Sequence, residues 1–382
     1  MNAKRRPIQR IAIVISDVFV RRLAPSLSPL VRQLYDFRIV SIQRSFDEIR
    51  DILDGIKPSG VITEWLPDKT EQILDLEYPF VVLATDNVYP DAVSIDVDDI
   101  AVGQEAAKYF LRSGGTRFGY LGNELPYSKQ RLAGFSRELQ VKGFTVSDWV
   151  EPDFSGRRYW EDIREPNGDF LNWIQSLPKP ISFFAAHDPL GRFLCEACRK
   201  TNIRVPEEIS VVGANNDPLV GELSYPPLSS VRIPWGQIGR KAGDAMSALL
   251  EGKVHEPSVL VAPEGIEVRQ SSDTVQAEDP VIRKTLRWMK MNHQEPVGID
   301  DLCRDLRLGR RMVERRFSEH LGRTPFWVLS EFRVETAKTL LRKTGEPMSW
   351  VAELSGLSDA ERLAVVFRRV TGKRPSDFRK QL

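Results

Sequence analysis

The sequence predicts two folded units of different class. An α/β body of parallel strands and covering helices occupies residues 1–270, and an all-α tail occupies residues 279–382. A short polar linker at 271–278 joins them. Three observations predict this. Short apolar runs alternate with longer amphipathic stretches through the first two-thirds of the chain. The final hundred residues contain a motif that recurs at a spacing of 50. Charge is also divided: residues 279–382 hold 22 Lys+Arg against 14 Asp+Glu, leaving 32 and 39 of the chain's 54 and 53 for the rest.

In the body the strand-like runs are Arg10–Ile15, Phe37–Ser41, Gly60–Thr63, Phe80–Ala84, Phe118–Leu121, Ile181–Ala185 and Ser210–Gly213. All fall far short of the roughly 20 apolar residues that cross a membrane. Strands alternating with helices make a parallel sheet covered on both faces, and a body of this length suits two such lobes. Ligands then gather at the carboxyl ends of the strands. Neither GxxxxGK[ST] nor GxGxxG occurs, so a lobe-and-cleft binding fold is expected rather than a nucleotide enzyme, with no cofactor and no catalytic residues. Cys195 and Cys198 form a C-x-x-C without a second pair. The histidines (His187, His255, His293, His320) lack ligand spacing, so thiols are expected there and no metal site. Three cysteines make no disulfide framework. The basic start, Lys4 to Arg10, precedes only a short apolar run. The expected compartment is the cytoplasm.

In the tail, Phe317, Gly322 and Pro325 recur as Phe367, Gly372 and Pro375. Each copy reads helix, turn, helix. Ile299–Leu306 leads through Leu308-Gly309 to Arg310–His320, and Trp350–Leu354 leads through Ser355-Gly356 to a helix capped near Asp359. Gly322 and Gly372 stand where a helix ends in a left-handed residue. The second helix of such a unit can enter the DNA major groove. Between the copies Pro325–Lys343 reads as one helix, buried through Val328, Leu329, Phe332, Ala337, Leu340 and Leu341. Roughly 18 residues span about 27 Å, enough to hold two heads near the ~34 Å repeat of paired half-sites. On the first head Arg310, Arg311, Glu314 and Arg315 fall on the exposed face, while Val313 and Phe317 turn inward. Arginine grips guanine bidentately and glutamate accepts from cytosine. On the second, Glu361, Arg362, Ala364 and Val365 are exposed.

These features, with Leu321-Gly322-Arg323-Thr324-Pro325, Arg333…Ala337…Leu340-Leu341 and Val351-Ala352…Gly356…Phe367-Arg368-Arg369…Gly372…Pro375…Phe378-Arg379, resemble the AraC/XylS family of DNA-binding domains across residues 280–380. Leu357 and Leu363 replace aromatics of that pattern, and Arg374 replaces Ser or Thr. The resemblance implies that Arg311, Glu314 and Arg315 read bases and that Arg310 and Arg316 hold phosphates. Val365 stands where many relatives carry a reading arginine, so the second head is expected to read less.

The body resembles the sugar-sensing domain of LacI/GalR regulators, itself akin to periplasmic sugar-binding proteins. The matching segments, in order, are 93–96, 103–121, Arg131-Leu132-Ala133-Gly134-Phe135, His187-Asp188…Gly191, 203–213 and Pro227-Leu228-Ser229-Ser230-Val231. The resemblance places Arg131 and Asp188 in the ligand cleft, where charged groups suit sugar hydroxyls. A structural ion pair is the other reading of Arg131. Asn215 stands where an aspartate is common, with Asp217 able to supply the carboxylate. Asp17 lies at the cleft mouth. Phe19, Trp65 and Trp235 are candidates to cover a sugar face or to serve as packing, and His187 to touch ligand or to be a satisfied polar group. LacI relatives carry their DNA-binding head first, whereas here the sensor leads and the tandem heads close the chain. That order resembles xylose-responsive regulators. It implies a small sugar effector with xylose favoured, double-stranded DNA as partner, a homodimer, and RNA polymerase if the protein activates. A sugar-modifying enzyme with a DNA-binding tail, or a constitutive binder with an inert sensor, are the alternatives.

Overall fold

The computed structural model describes residues 8–31, 35–66, 69–151, 165–253, 256–275 and 277–380. Lys4, His255 and Gln276 of the linker lie outside the described residues. The body runs β1 (Gln9–Ile15), α1 (Asp17–Val31), β2 (Tyr35–Ser41), α2 (Phe46–Ile56), β3 (Gly60–Glu64), α3 (Thr70–Leu74), β4 (Phe80–Leu83), β5 (Ala92–Val97), α4 (Asp99–Arg112), β6 (Phe118–Gly122) and α5 (Pro126–Gln140). It continues with β7 (Val146–Val150), α6 (Gly168–Ser176), β8 (Ile181–Ala185), α7 (Asp188–Lys200), β9 (Ile209–Ala214), α8 (Pro218–Leu223), β10 (Ser229–Val231), α9 (Trp235–Leu250), β11 (Ser258–Val261) and β12 (Ile266–Glu267). The tail is α10 (Pro280–Asn292), α11 (Ile299–Leu306), α12 (Arg310–Leu321), α13 (Pro325–Lys343), α14 (Met348–Leu354), α15 (Ala360–Thr371) and α16 (Pro375–Lys380).

The strands form two six-stranded sheets, ordered β11-β5-β4-β3-β1-β2 and β12-β10-β9-β8-β6-β7. Among the described residues every pairing is parallel except β10 with β12. Strands covered on both faces need unbroken apolar runs rather than alternation. Ile11 to Ile15, Phe80 to Leu83 and Ile181 to Ala185 are accordingly buried throughout. The chain crosses between the lobes after β5, after β10 and between β11 and β12, so the cleft lies beside three crossings.

Helices α4 and α5 pack backbone to backbone. Two glycines allow it: a Cβ on Gly103 would lie 2.0 Å from the Arg131 carbonyl oxygen, and one on Gly134 would lie 2.0 Å from that of Ile100.

The tail holds two small cores that share α13. Val328 and Leu329 join Phe317, Val313 and Leu302 in the first, while Val334, Ala337 and Leu341 join Phe367, Leu363 and Val351 in the second. Phe317 and Phe367, the repeated pair, are both fully buried. Leu357 and Leu363, which replace aromatics of the resembled pattern, are both buried in the second core. Arg333 of α13 is buried and donates to the carbonyls of His293, Glu295 and Val297 at 2.9, 3.0 and 2.6 Å, tying α13 to the end of α10.

The linker is not a free tether, despite its composition. Ser271 is buried in the body, where its hydroxyl donates to the Val211 carbonyl at 2.7 Å and accepts from the Ser229 amide at 2.8 Å. Val275 and Ala277 are buried in the tail's first core.

Candidate ligand cleft and DNA-reading helices

The carboxyl ends of the body's strands open into a cleft of about 630 Å³. Ser16 to Phe19 follow β1, Glu64 and Trp65 close β3, and Ala84 to Asn87 follow β4. Asp96 and Asp99 flank the end of β5, and His187 and Asn215 follow β8 and β9. Of the residues the sequence assigned to ligand, Asp17, Phe19, Trp65, Arg131, His187, Asn215 and Trp235 are brought together here.

Arg131 is 4% exposed. Its Nε donates to Asp99 at 2.7 Å and its Nη1 to the Ala186 carbonyl at 2.5 Å, and its guanidinium lies 5.0 Å from the Tyr127 ring. It is therefore both a cleft residue and half of a buried ion pair. Asn215 has φ of +103°, a strained conformation for a side-chain-bearing residue, and its carbonyl accepts from Trp235 Nε1 at 3.3 Å. The Phe19 and Trp235 rings meet edge to face at 5.2 Å. Burial, then Arg131 and Arg22, push His187 down to about 3, so its imidazole is neutral at physiological pH.

Asp188 and Asp217 do not line the cleft. Asp188 is fully buried behind the wall, accepting from the Ser230 hydroxyl at 2.5 Å and the Asp217 amide at 2.7 Å. Burial raises it to about 7. Asp217 caps α8, accepting from the Leu219 amide at 2.9 Å, and pairs with Arg22 at 2.9 Å. Its carboxylate is engaged by the first turn of a helix, as is common for an aspartate before a proline-led helix.

The cleft also contains residues that sequence reasoning did not single out as ligand groups: Glu64, Asp86, Asp96, Asp99, Tyr127 and Gln130. Burial raises Glu64, against the bond it accepts from the Ser16 amide. Burial and the neighbouring Asp99 raise Asp96 well above the carboxylate range. Asp86 accepts from Gln130 at 2.8 Å. Asp96 lay within the matching segment, but nothing local marks the others, because only the sheet order gathers them.

In the tail, α12 exposes Arg310, Arg311, Glu314 and Arg315 and buries Val313 and Phe317. Arg310 bonds Glu314 at 3.0 Å and Asp300 at 2.6 Å, so Glu314 is engaged along the helix. Arg315 lies 3.8 Å from Glu319. No ion pair or hydrogen bond holds the Arg311 side chain among the described residues. Arg316 turns away from this face and pairs with Asp279, the cap of α10, at 3.1 Å. On α15, Glu361, Arg362, Ala364 and Val365 are exposed, with Arg362 over the Phe326 ring at 5.7 Å.

Comparison with known proteins agrees with both halves. Residues 107–272 match the periplasmic binding protein-like domain, and residues 302–381 match a helix-turn-helix domain. A chain that joins a two-lobed cleft to two helix-turn-helix heads is a ligand-sensing, DNA-binding transcription regulator. More particularly, it is similar over nearly its whole length to the "Xylose operon regulatory protein" of Haemophilus influenzae, at 23% identity over 374 residues covering 95% of this chain and 96% of the relative. The protein of the same name from Escherichia coli K12 is 25% identical over 349 residues, covering 87% of each chain. The solved structure of a xylose-binding transcription activator has the same fold, with a TM-score of 0.59 at 21% identity, covering 100% of this chain and 99% of that one.

Proposed function

We propose that the protein is a sugar-responsive transcription activator whose effector is a free pentose, with D-xylose favoured, bound between the two lobes. The cleft carries this reading. It gathers the rings of Phe19, Trp65 and Trp235 with Arg131, Asn215 and a set of carboxylates. Aromatic rings cover the C–H faces of a sugar while charged and amide groups bond its hydroxyls. Two relatives are named for a xylose operon, which supports xylose among the pentoses. The protein acts as a cytoplasmic homodimer, engages RNA polymerase at its promoter and catalyses no reaction on the sugar. Arg131, Asn215 and His187 contact the effector. Asp188 acts behind them by fixing the turn before α8.

Thermal unfolding of the full chain with D-xylose, L-arabinose, D-ribose and D-glucose tests the reading. A ligand at 100 times its Kd stabilises the native state by about 2.7 kcal/mol. Arg131→Ala is expected to abolish that shift and leave salt-dependent duplex binding measurable. Absence of a shift with every sugar would overturn the sugar assignment.

A further inference from the structure

The two ends of α4 touch different functional parts of the molecule. Its first turn carries Asp99, which accepts from Arg131 on the cleft wall at 2.7 Å. Thirteen residues later, about 20 Å along the helix, its last turn lies against the DNA-binding tail. There Arg112 pairs with Glu335 of α13 at 3.5 Å. Beside it, the Tyr109 hydroxyl holds the start of the junction, donating to the Ser272 carbonyl at 2.9 Å. Gly114, just past the helix, has φ of +81°, and a Cβ there would come within 2.8 Å of Ala277 and 2.9 Å of Leu286, both in the first core of the tail.

The connection is stiff at both ends. Gly103 and Gly134 lock α4 to α5, the helix that carries Arg131, so the pair moves as one body. At the far end Glu335 also accepts from Lys338 at 2.9 Å. Burial alone would raise this carboxyl, but Arg112, Lys338 and Arg342 together hold it down at about 2. It therefore stays ionised, and its position depends on Arg112. Since α13 supplies side chains to the cores of both reading units, any shift of α13 against α4 reorients both heads relative to the cleft.

We infer that α4 couples the cleft to the reading heads, with Asp99 as its input and the Arg112–Glu335 pair as its output. The inference rests on the cleft being the effector site, whatever the effector's identity. A ligand that draws Arg131 or Asp99 moves α4 and α5 together, and the displacement reaches Glu335. By linkage, DNA binding acts back on the cleft by the same factor.

The test is a cycle in the full-length protein without sugar. Affinity for one selected duplex is measured for the unaltered protein, Asp99→Asn, Glu335→Gln and the double variant. Sites this far apart with no shared partner act independently, within about two-fold. Coupling through α4 is expected to make the double variant depart from the product of the singles on the order of 5-fold or more. Affinities that multiply within about two-fold overturn the inference. Thermal unfolding checks each variant, and if Asp99→Asn does not fold, Arg131→Lys replaces it under the same criterion. A second arm adds D-xylose. Glu335→Gln should still bind it, while the ratio of DNA affinities with and without sugar falls toward one. An unchanged ratio again overturns the inference. If the unaltered protein fails to bind D-xylose, the effector assignment falls and the sugar-free cycle still decides the coupling.

Discussion

Gly103→Ala should destabilise the protein, against the usual sign of that exchange. In an open helix the alanine is favoured by about 1 kcal/mol. In α4 the new Cβ would lie 2.0 Å from the Arg131 carbonyl oxygen and 2.6 Å from the Phe135 amide nitrogen, both on the backbone of α5. Ordinary contact begins near 3.4 Å, so the helices must part by about 1.4 Å. That displacement would stretch the 2.7 Å bond between Arg131 and Asp99 to about 4 Å, beyond hydrogen-bond range. Overpacking costs about 1–3 kcal/mol, and weakening a buried pair adds to it. A net loss on the order of 3 kcal/mol is expected, with effector affinity reduced at least about tenfold. Urea unfolding and effector titration measure the two effects. Gly55→Ala in α2 is the control, because a Cβ there meets nothing within 4 Å and should stabilise. If Gly103→Ala proves as stable as the unaltered protein, the close packing of α4 on α5 does not hold the cleft pair as described.

Two further predictions concern the reading heads and two buried titratable groups, His187 on the cleft wall and Asp188 behind it. Arg311→Ala or Arg315→Ala should relax preference at defined base pairs, each worth about 1–3 kcal/mol, whereas Arg362→Ala should lower affinity for all sequences alike. Selection from random duplexes checks this, and two equally informative half-sites would refute the asymmetry. His187 and Asp188 should tilt stability with pH in opposite directions. His187, lowered to about 3 when folded, binds fewer protons than the unfolded chain up to about pH 6.5, so its contribution falls as the solution is acidified through that window. Asp188, raised to about 7, binds more protons than the unfolded chain above about pH 4, so its contribution falls as pH rises toward 7. Relative to the unaltered protein, His187→Gln should gain stability at pH 4.5 over pH 7, and Asp188→Asn at pH 7 over pH 4.5. Denaturant midpoints at the two pH values decide it. Curves parallel to the unaltered protein's would refute the assigned shifts.

The elements were legible where one physical cause dominates. The unbroken apolar run Ile11 to Ile15 became β1, and the helix read over 325–343 is α13 with those bounds. Gly322 and Gly372 do end their helices with φ of +61° and +76°. Strand ends were placed within two residues. Phe80–Ala84 stops at Leu83 because Ala84, after its amide donates to the Ile95 carbonyl, turns the chain away with φ of +61°. The site was less legible, because residues after a strand point wherever their turn's hydrogen bonds send them. His187 faces the cleft, while Asp188, its neighbour, is drawn behind the wall by Ser230 and the Asp217 amide. Glu64 and Asp86 carry no local signature in a chain with 53 acidic residues, and meet Asp96 only through the order of strands. Arg316 is indistinguishable in sequence from its arginine neighbours on α12, and only the fold brings Asp279 within 3.1 Å of it.

The packed junction at residues 271–277 limits how the molecule can be recombined. Exchanging sensors between regulators assumes a neutral splice point. Here a cut at residue 278 would strip Val275 and Ala277 from the tail's first core and uncover Leu286, while a cut before Ser271 would leave the Val211 carbonyl and the Ser229 amide unpaired. Ser272 still belongs to the body through Tyr109, and Val275 already belongs to the tail, so the usable seam is Asp273-Thr274. Chimaeras joined there should keep both cores whole, and new effector specificities are most readily brought to these DNA-binding heads by exchanging cleft residues within the existing body.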